Sequence, residues 1–273
     1  MKDTPHVMEP PQETVYSRHR WKQMRRRASA SAVALTLLWL RASAAVAAEP
    51  VSPVLTYAVV EAKTGKPLHT LRGWTEPVDD DRVLAVSTIT FPAGNQVEVR
   101  VTFTHDQPPR CLASEAIVRD SGGAVVANGQ ERFVQEAFPF LSQPVPSDTY
   151  PPLAPLGYVL TRLGLGHNER VSFHFILMGS ALLQMDLWVD GRERVHVPAG
   201  EFDCYRIRMR VNPASLFPNL PAFLQGFVRV FIPTHTIWLT ASEPQMLVRY
   251  TGQMGPPGSP ELLIQLISSG PSS

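Results

Sequence analysis

The sequence lacks every familiar motif of catalytic chemistry. It contains no G-x-S-x-G, no H-E-x-x-H and no glycine-rich phosphate loop, the patterns of serine hydrolases, zinc peptidases and nucleotide-binding proteins. The histidines after residue 47 show no metal-type spacing, and the run Asp79-Asp80-Asp81 is typical of a solvated turn. We therefore predict no catalytic residue, no metal site and no cofactor. An enzyme stays the third hypothesis, because side chains distant in sequence can still meet in a cleft.

Basic charge is scarce as well. Charged residues make up 18% of the chain, and after Ala47 there are 17 Lys and Arg residues against 21 Asp and Glu, a formal charge of −4. Proteins that bind nucleic acid typically concentrate basic residues on one surface, because the phosphate backbone supplies most of the affinity. We therefore predict no nucleic-acid partner.

The chain has only two cysteines, Cys111 and Cys204. In an oxidising compartment the two could form a disulfide. The alternative is that both are small, buried, hydrophobic side chains. Neither cysteine lies in a recognisable catalytic signature, so we do not predict a cysteine nucleophile.

A hydrophobic run long enough to span a bilayer is also missing. The apolar run Ala32 to Leu40 is followed by Arg41, and it has about half of the ~20 residues that a membrane helix needs. It lies between Arg25-Arg26-Arg27 and the small residues Ala45-Val46-Ala47, which is the layout of a secretory signal peptide. We expect cleavage before Ala48, export to the periplasm or the exterior, and no transmembrane span in the mature chain.

The predicted organisation has two parts. Residues 1–47 are an N-terminal extension plus the signal peptide, which covers 24–47. The stretch Met1 to Gln23 has no apolar periodicity, so Met24 is an alternative start. Residues 48–273 are predicted to form a single β-rich domain.

What this part does contain is a series of short β-type runs. Residues Val97 to Phe103 alternate between apolar and polar side chains, which predicts a strand with one buried and one solvated face. Turn residues separate such runs along the chain. The apolar spacing over Leu156 to Leu163 predicts a short amphipathic helix that plugs the sheet. We predict an all-β fold with minor α content, an antiparallel meander curled into a barrel or half-barrel with one or two short helices.

A second apolar segment, Ala214 to Gly226, is interrupted by Pro218 and Pro221. It is predicted to hold one short helical turn. Its apolar side chains are predicted to pack in the core and not to anchor the protein in a membrane; they are Leu216, Phe217, Leu220, Phe223 and Leu224.

The stretch Ala181 to Val211 is predicted to form three strands joined by two turns. A three-residue loop at Val189-Asp190-Gly191 would keep the apolar residues on one face. That register places Asp186 opposite Arg194. The second turn is predicted at Pro198 to Glu201. The register of the third strand stays open, because one bulge or one more loop residue reverses its faces.

The candidate ligand-binding residues are a row of arginines and one histidine. Arg206, Arg208 and Arg210 share one face of the third strand, and they could bind an anionic head group or form an ordinary solvated row. His174 lies on the less apolar face of its strand. It could look into a cavity or be a structural histidine whose hydrogen bonds are satisfied.

One part of the sequence resembles a known family. The residues that carry the resemblance are Val197-Pro198-Ala199-Gly200-Glu201-Phe202, the strand Thr236 to Leu239 with its Trp238-Leu239 pair, and the strand Met246 to Tyr250. Over roughly residues 181–266 the chain resembles a family of exported bacterial β-rich domains of unknown function, with a V-P-A-G-x-F turn followed by a W-[FL] strand. The resemblance implies a barrel-like periplasmic domain and carries no catalytic residues.

Two non-catalytic functions follow from these expectations. The first is a periplasmic or secreted binding or carrier protein that holds a lipid or other apolar molecule in a cavity of the curled sheet. The second is an envelope assembly or interaction factor that docks a protein partner. A filled interior together with an exposed apolar patch would favour the second function.

Overall fold

The computed structural model describes residues 52–132, 145–151, 155–165, 170–177, 181–253 and 259–270. The predicted signal peptide, its cleavage site, the alternative start at Met24 and the domain boundary at residue 48 lie outside the described residues.

The described chain is mostly strand, with short helices. The strands are β1 (Val54–Glu61), β2 (Pro67–Pro77), β3 (Arg82–Thr90), β4 (Gln96–Thr104), β5 (Cys111–Arg119), β6 (Val125–Arg132), β7 (Thr149–Tyr150), β8 (Arg170–Leu177), β9 (Ala181–Val197), β10 (Gly200–Val211), β11 (His235–Thr240), β12 (Leu247–Gln253) and β13 (Glu261–Gly270). The helices are α1 (Leu156–Leu160), α2 (Pro213–Leu216), α3 (Ala222–Val228) and a 3-10 turn at Arg229–Phe231.

All thirteen strands belong to one sheet in the order β6-β5-β4-β3-β2-β1-β13-β12-β11-β10-β9-β8-β7. Each strand lies beside the next one in the chain, with one exception: β6 and β7 lie at the two opposite ends of the sheet. The two runs of neighbours, β1 to β6 and β7 to β13, are joined where β13 pairs with β1. The neighbours are antiparallel, apart from the short parallel pair of β7 with β8. The structure therefore confirms the predicted all-β meander.

The sheet curls, and its two ends approach each other. β4 and β7 are ten positions apart in the sheet, which would be about 48 Å in a flat sheet with normal strand spacing. Yet the rings of Phe103 on β4 and Tyr150 on β7 lie 6.1 Å apart. The Tyr150 hydroxyl also donates a hydrogen bond of 2.8 Å to the carbonyl of Pro109, just before β5. Side chains thus connect the two ends, and β6 and β7 remain the outermost strands of an open sheet.

Helix α1 fills the inside of this curl. Its residues Tyr158, Val159 and Leu160 are buried, and the Tyr158 ring stacks on Phe103 with centroids 5.0 Å apart. Gly157 lies against β12, where an added Cβ would be 3.5 Å from Leu247. The predicted plug helix is confirmed, and its burial joins distant strands into a single apolar core.

The buried face of the sheet follows the predicted alternation. Residues Val97 to Phe103 of β4 alternate between buried and half-buried side chains, with Val101 and Phe103 fully buried. Each such Val or Phe stabilises the fold by about 1.5–3 kcal/mol relative to an exposed side chain. Period-two patterning therefore identified the core strand correctly.

The predicted turn at Val189-Asp190-Gly191 is wrong. β9 runs without interruption through these residues, and its first half pairs with β8 while most of its length pairs with β10. Asp190 is an extra residue in the pairing, because Arg206 lies opposite Gly191 and Ile207 lies opposite Val189. The Asp-Gly pair thus forms a β-bulge, in which an unpaired residue bends and twists a strand without ending it.

The observed strand pairing in the rest of this hairpin also differs from the predicted register. Asp186 lies opposite Arg210 and Ser172, not opposite Arg194. The loop between β9 and β10 holds only Pro198 and Ala199, since Val197 pairs with Gly200. The register left open by the sequence is therefore set by a two-residue loop and one bulge.

The disulfide is not supported. Cys111 and Cys204 are buried thiols that are not within disulfide distance. Cys111 lies on β5 opposite Phe103, whereas Cys204 lies on β10 opposite Glu193 and Thr240. The alternative of two buried small side chains agrees with this placement.

Candidate functional site

The arginine row of β10 lies on the face opposite the core. Ile207 and Met209 are buried beside β11 residues of the core, and strand alternation turns Arg206, Arg208 and Arg210 to the other side. We call this side of β8 to β11 the arginine face. Residues directly opposite in the pairing share it, so Trp188 lies beside Arg208 and Asp186 beside Arg210.

Two of the three arginines already have carboxylate partners. The Nε atoms of Arg206 and Arg208 donate to the same oxygen of Asp190, at 3.1 and 3.0 Å. These arginines, with Arg208 the stronger hydrogen-bond donor, hold the pKa of Asp190 below its usual range against the opposing effect of burial. The bulge thus places the carboxylate of Asp190 beside the arginine row of β10. The prediction that these two arginines bind an anionic ligand stays a prediction.

A second network of hydrogen bonds joins β9, β10 and β11 on the arginine face. The indole Nε1 of Trp238 on β11 donates 2.7 Å to Glu193 on β9, and Arg206 Nη1 donates 3.3 Å to the same carboxylate group. Arg208 Nη1 donates 2.7 Å to the hydroxyl of Thr236. These contacts hold β9, β10 and β11 in register on the arginine face.

Arg210 differs from its two neighbours. Its guanidinium lies over the Trp188 ring at 5.4 Å from the centroid, and within the described residues it forms no ion pair. Burial lowers the pKa of Arg210, the nearby charge of Arg229 lowers it further, and Asp186 opposes the shift. Arg210 therefore faces another cation without a carboxylate in direct contact.

An open pocket of about 410 Å³ lies on the same face. We call it the arginine pocket; its lining residues are Arg170, Val171, Ser172, Asp186, Leu187, Trp188 and Arg229. Asp186 accepts hydrogen bonds from Ser172 at 3.0 Å and from the Gln184 side chain at 3.4 Å. Arg170 and Arg229 form no ion pair within the described part of the chain. The pocket region thus has more positive than negative charge, which suits an anion.

The segment between β10 and β11 forms a protruding apolar surface. We call residues 212–232 the apolar segment; it holds α2, α3 and the 3-10 turn. Asn212 caps α2 by accepting from the amide of Ala214 at 3.0 Å, and Ser215 accepts from the Gln184 amide of β9 at 3.0 Å. One end of the segment is therefore anchored beside the arginine face.

The prediction that this segment packs in the core is wrong. Phe223 is 76% exposed, Phe227 66% and Phe231 72%. Of the residues predicted to be buried, four are exposed and Leu220 is only partly buried. The prolines divide the segment into short helical pieces, and most of its apolar side chains are exposed to solvent. Sequence periodicity cannot distinguish an apolar stripe that faces the core from one that faces solvent.

The imidazole of His174 contacts a carboxylate that the sequence pattern did not indicate. Its Nδ1 lies 2.9 Å from the Asp148 carboxylate just before β7, and both side chains are about a quarter exposed. Neither residue lines the arginine pocket. The pair ties β8 to β7 next to the backbone bond from the His174 amide to the Asp148 carbonyl. The contact fits a structural histidine.

The described residues offer neither a metal cluster nor a membrane-spanning helix. No group of three or more His, Cys, Asp or Glu side chains among them could hold a metal ion. No described helix is both long and apolar enough to cross a membrane.

Comparisons with known proteins place the chain in no family. No family model matches it, and no curated protein sequence matches it. The family resemblance of residues 181–266 therefore stays a prediction.

Three solved structures are similar over most of the chain. A hypothetical lipoprotein from Parabacteroides distasonis has a TM-score of 0.33 and 12% identity, covering 80% of this chain and 94% of its own. The hypothetical lipoprotein YmcC from Escherichia coli has a TM-score of 0.33 and 10% identity, covering 81% and 86%. A hypothetical exported protein with a YmcC-like fold from Bacteroides fragilis has a TM-score of 0.31 and 10% identity, covering 80% and 95%. Scores this low carry no argument about function.

Proposed function

We propose that this chain is an exported, non-catalytic docking module that binds a partner surface in the cell envelope through its apolar segment. The observation that carries the proposal is a contrast between the two sides of the fold. Inside the curl the described residues pack into a continuous apolar core, whereas Phe223, Phe227 and Phe231 of the apolar segment face solvent.

The filled interior argues against the carrier function. A carrier of this type needs a ligand-sized cavity within the curled sheet. Here the rings of Phe103, Tyr150, Tyr158 and Phe173 occupy the space between the two ends of the sheet. The pocket found among the described residues is open and lies on the arginine face. A lipid enclosed by the sheet would have to displace α1 and these rings.

The exposed segment argues for docking. Contiguous apolar side chains on a soluble protein commonly mark an interaction surface. Phe227 and Phe231 pack edge to face on each other at 5.4 Å, so they form a continuous patch and are not isolated exposed residues. Burying such rings against a partner would supply most of the binding free energy, since aromatic side chains dominate interfaces.

The first test asks where the exported protein goes. The full chain is expressed in a Gram-negative host, and the soluble and envelope fractions are separated after cell disruption. We expect the wild-type protein in the envelope fraction and the variant Phe223→Ser/Phe227→Ser/Phe231→Ser in the soluble fraction. The control is Val125→Ser/Val126→Ser, which removes two exposed apolar side chains from the edge strand β6 and should fractionate as wild type.

Two outcomes would contradict the proposal. One is an unchanged distribution of the triple variant, provided that its thermal unfolding matches wild type. The other is a stoichiometric lipid in protein purified under native conditions, detected by mass spectrometry, because that would restore the carrier function.

A further inference from the structure

We infer that the surface to which the apolar segment docks is an anionic lipid bilayer, with the phenylalanines entering the interface and the neighbouring arginines meeting the lipid phosphates. The inference rests on the proposed docking function and names its partner.

The spacing of the exposed rings suits a flat apolar phase. Phe223, Phe227 and Phe231 are four residues apart, and α3 continues directly into the 3-10 turn, so the three rings project from one side of a short helical stretch. Val230 beside them is 80% exposed. A stretch of this kind can lie in the plane of a membrane interface with its apolar side inserted about 5–10 Å.

The charge of the segment is complementary to an anionic surface. Residues 212–232 contain no Asp, Glu or Lys, and their one charged residue is Arg229. Arg229 also lines the arginine pocket, together with Arg170, and it lies near enough to Arg210 for the two charges to repel. Arg229 thus lies between Phe227 and Phe231 in the chain, and it is near Arg170 and Arg210 of the arginine face. That is where the phosphate groups of a bilayer would be if the rings reached the acyl boundary.

A bilayer fits these observations better than a folded protein partner does. Protein interfaces seat their aromatic anchors in complementary pockets and surround them with hydrogen-bonding polar groups. The apolar segment offers projecting rings and one cation, with few polar side chains to form such a rim. A lipid interface requires only apolar side chains of sufficient reach and a cationic border, and both are present.

The test is co-sedimentation of the mature chain with lipid vesicles. Vesicles of phosphatidylcholine mixed with phosphatidylglycerol are compared with vesicles of phosphatidylcholine alone, each at low and at high salt. We expect binding to the anionic vesicles that weakens with salt, because the arginine contribution is screened. The triple phenylalanine variant should bind at least tenfold more weakly. Arg229→Glu should lose about tenfold on anionic vesicles, while Arg229→Lys keeps most of the binding.

A second readout reports whether the rings enter the lipid. An environment-sensitive fluorophore is attached to Phe227→Cys and, as the control, to Val126→Cys on β6. A blue shift with anionic vesicles is expected at position 227 and not at position 126. Equal shifts at both positions, or none at 227, would overturn insertion by the apolar segment.

The result separates this inference from the proposed function. If neither vesicle type binds but the triple variant still leaves the envelope fraction, the lipid inference fails and docking onto a protein partner stands. If the triple variant is unchanged in both assays, docking through this segment fails as well. Equal binding to both vesicle types would overturn the role assigned to the arginines.

Discussion

At the residue scale, burial in the folded chain determines the reactivity of the Cys204 thiol. Its side chain is fully buried, and its thiol donates weakly to the Phe202 carbonyl at 3.7 Å. Burial, followed by the charges of Asp203 and Glu193, raises the pKa of this thiol to about 12. A thiol in this state is a poor nucleophile, because only the thiolate reacts efficiently.

A thiol-labelling experiment tests both the reactivity and the absence of a disulfide. In the native protein near pH 8, Cys204 should react with iodoacetamide roughly a thousandfold more slowly than an ordinary exposed cysteine, because so little thiolate is present. Unfolding in denaturant without reductant should release two reactive thiols per chain. Cys204→Ala is the matched control and should release one. Finding no thiol in the unreduced, unfolded wild type would show that the bridge exists.

At the element scale, the single bulged residue Asp190 of β9 changes which residues of β10 share a face with the buried residues of β9. Met185, Leu187 and Val189 are buried before the bulge, and Val195 and Val197 are buried after it. Before Asp190 they pair with Ile207 and Met209 of the core, and after it Val195 pairs with Phe202 on the face that also carries Cys204. The bulge adds one residue to β9 and none to β10. Odd-numbered residues of β9 therefore pair with odd-numbered residues of β10 before the bulge and with even-numbered residues after it.

Hydrogen–deuterium exchange distinguishes a continuous β9 from the hairpin that the sequence predicts. If β9 is continuous, the amides of Val189 and Gly191 on either side of the unpaired Asp190 should exchange about as slowly as those near Leu187, since both residues pair with β10 in the sheet. The loop residues Lys63 and Thr64 provide the fast-exchanging reference. Rapid exchange confined to residues 189–191 would indicate a turn there and contradict the structure.

The apolar segment is also understood at the scale of elements, because its function depends on whether its side chains face the core or the solvent. Its proline-separated helical pieces were foreseeable, but the direction of Phe223 and Phe227 was not. Both an inward and an outward stripe satisfy the same pattern. Exposure in the folded chain changes the expectation from core packing to docking.

At the scale of the whole molecule, contacts between aromatic rings join the two ends of the curled sheet. Phe103, Tyr150 and Phe173 come from strands at opposite ends of the sheet. Their packing requires the intervening strands to twist and coil in one direction, as right-handed strand twist favours. Helix α1 completes the core by stacking Tyr158 on Phe103.

Truncating the central ring tests this arrangement. Phe103→Ala should lower the free energy of unfolding by about 3–5 kcal/mol, because it removes buried contacts to both ends of the sheet and leaves a cavity. Urea denaturation followed by circular dichroism measures the change. The control Val126→Ala on the edge strand removes exposed surface and should alter stability by less than about 0.5 kcal/mol. A similarly small effect of Phe103→Ala would mean that the ends of the sheet are not joined through this ring.

The strand-rich class, the buried face of β4 and the plug helix α1 could all be predicted from the amino-acid sequence. Apolar periodicity predicts them because it is a local property that burial enforces along each element. The sequence also showed that Arg206, Arg208 and Arg210 share one side of a strand. Which side of the sheet these arginines occupy depends on the folded chain, since the two-residue loop and the bulge at Asp190 set the register through pairing with other strands. The tertiary structure likewise decided that Phe223, Phe227 and Phe231 face solvent, because exposure depends on what the rest of the fold leaves uncovered.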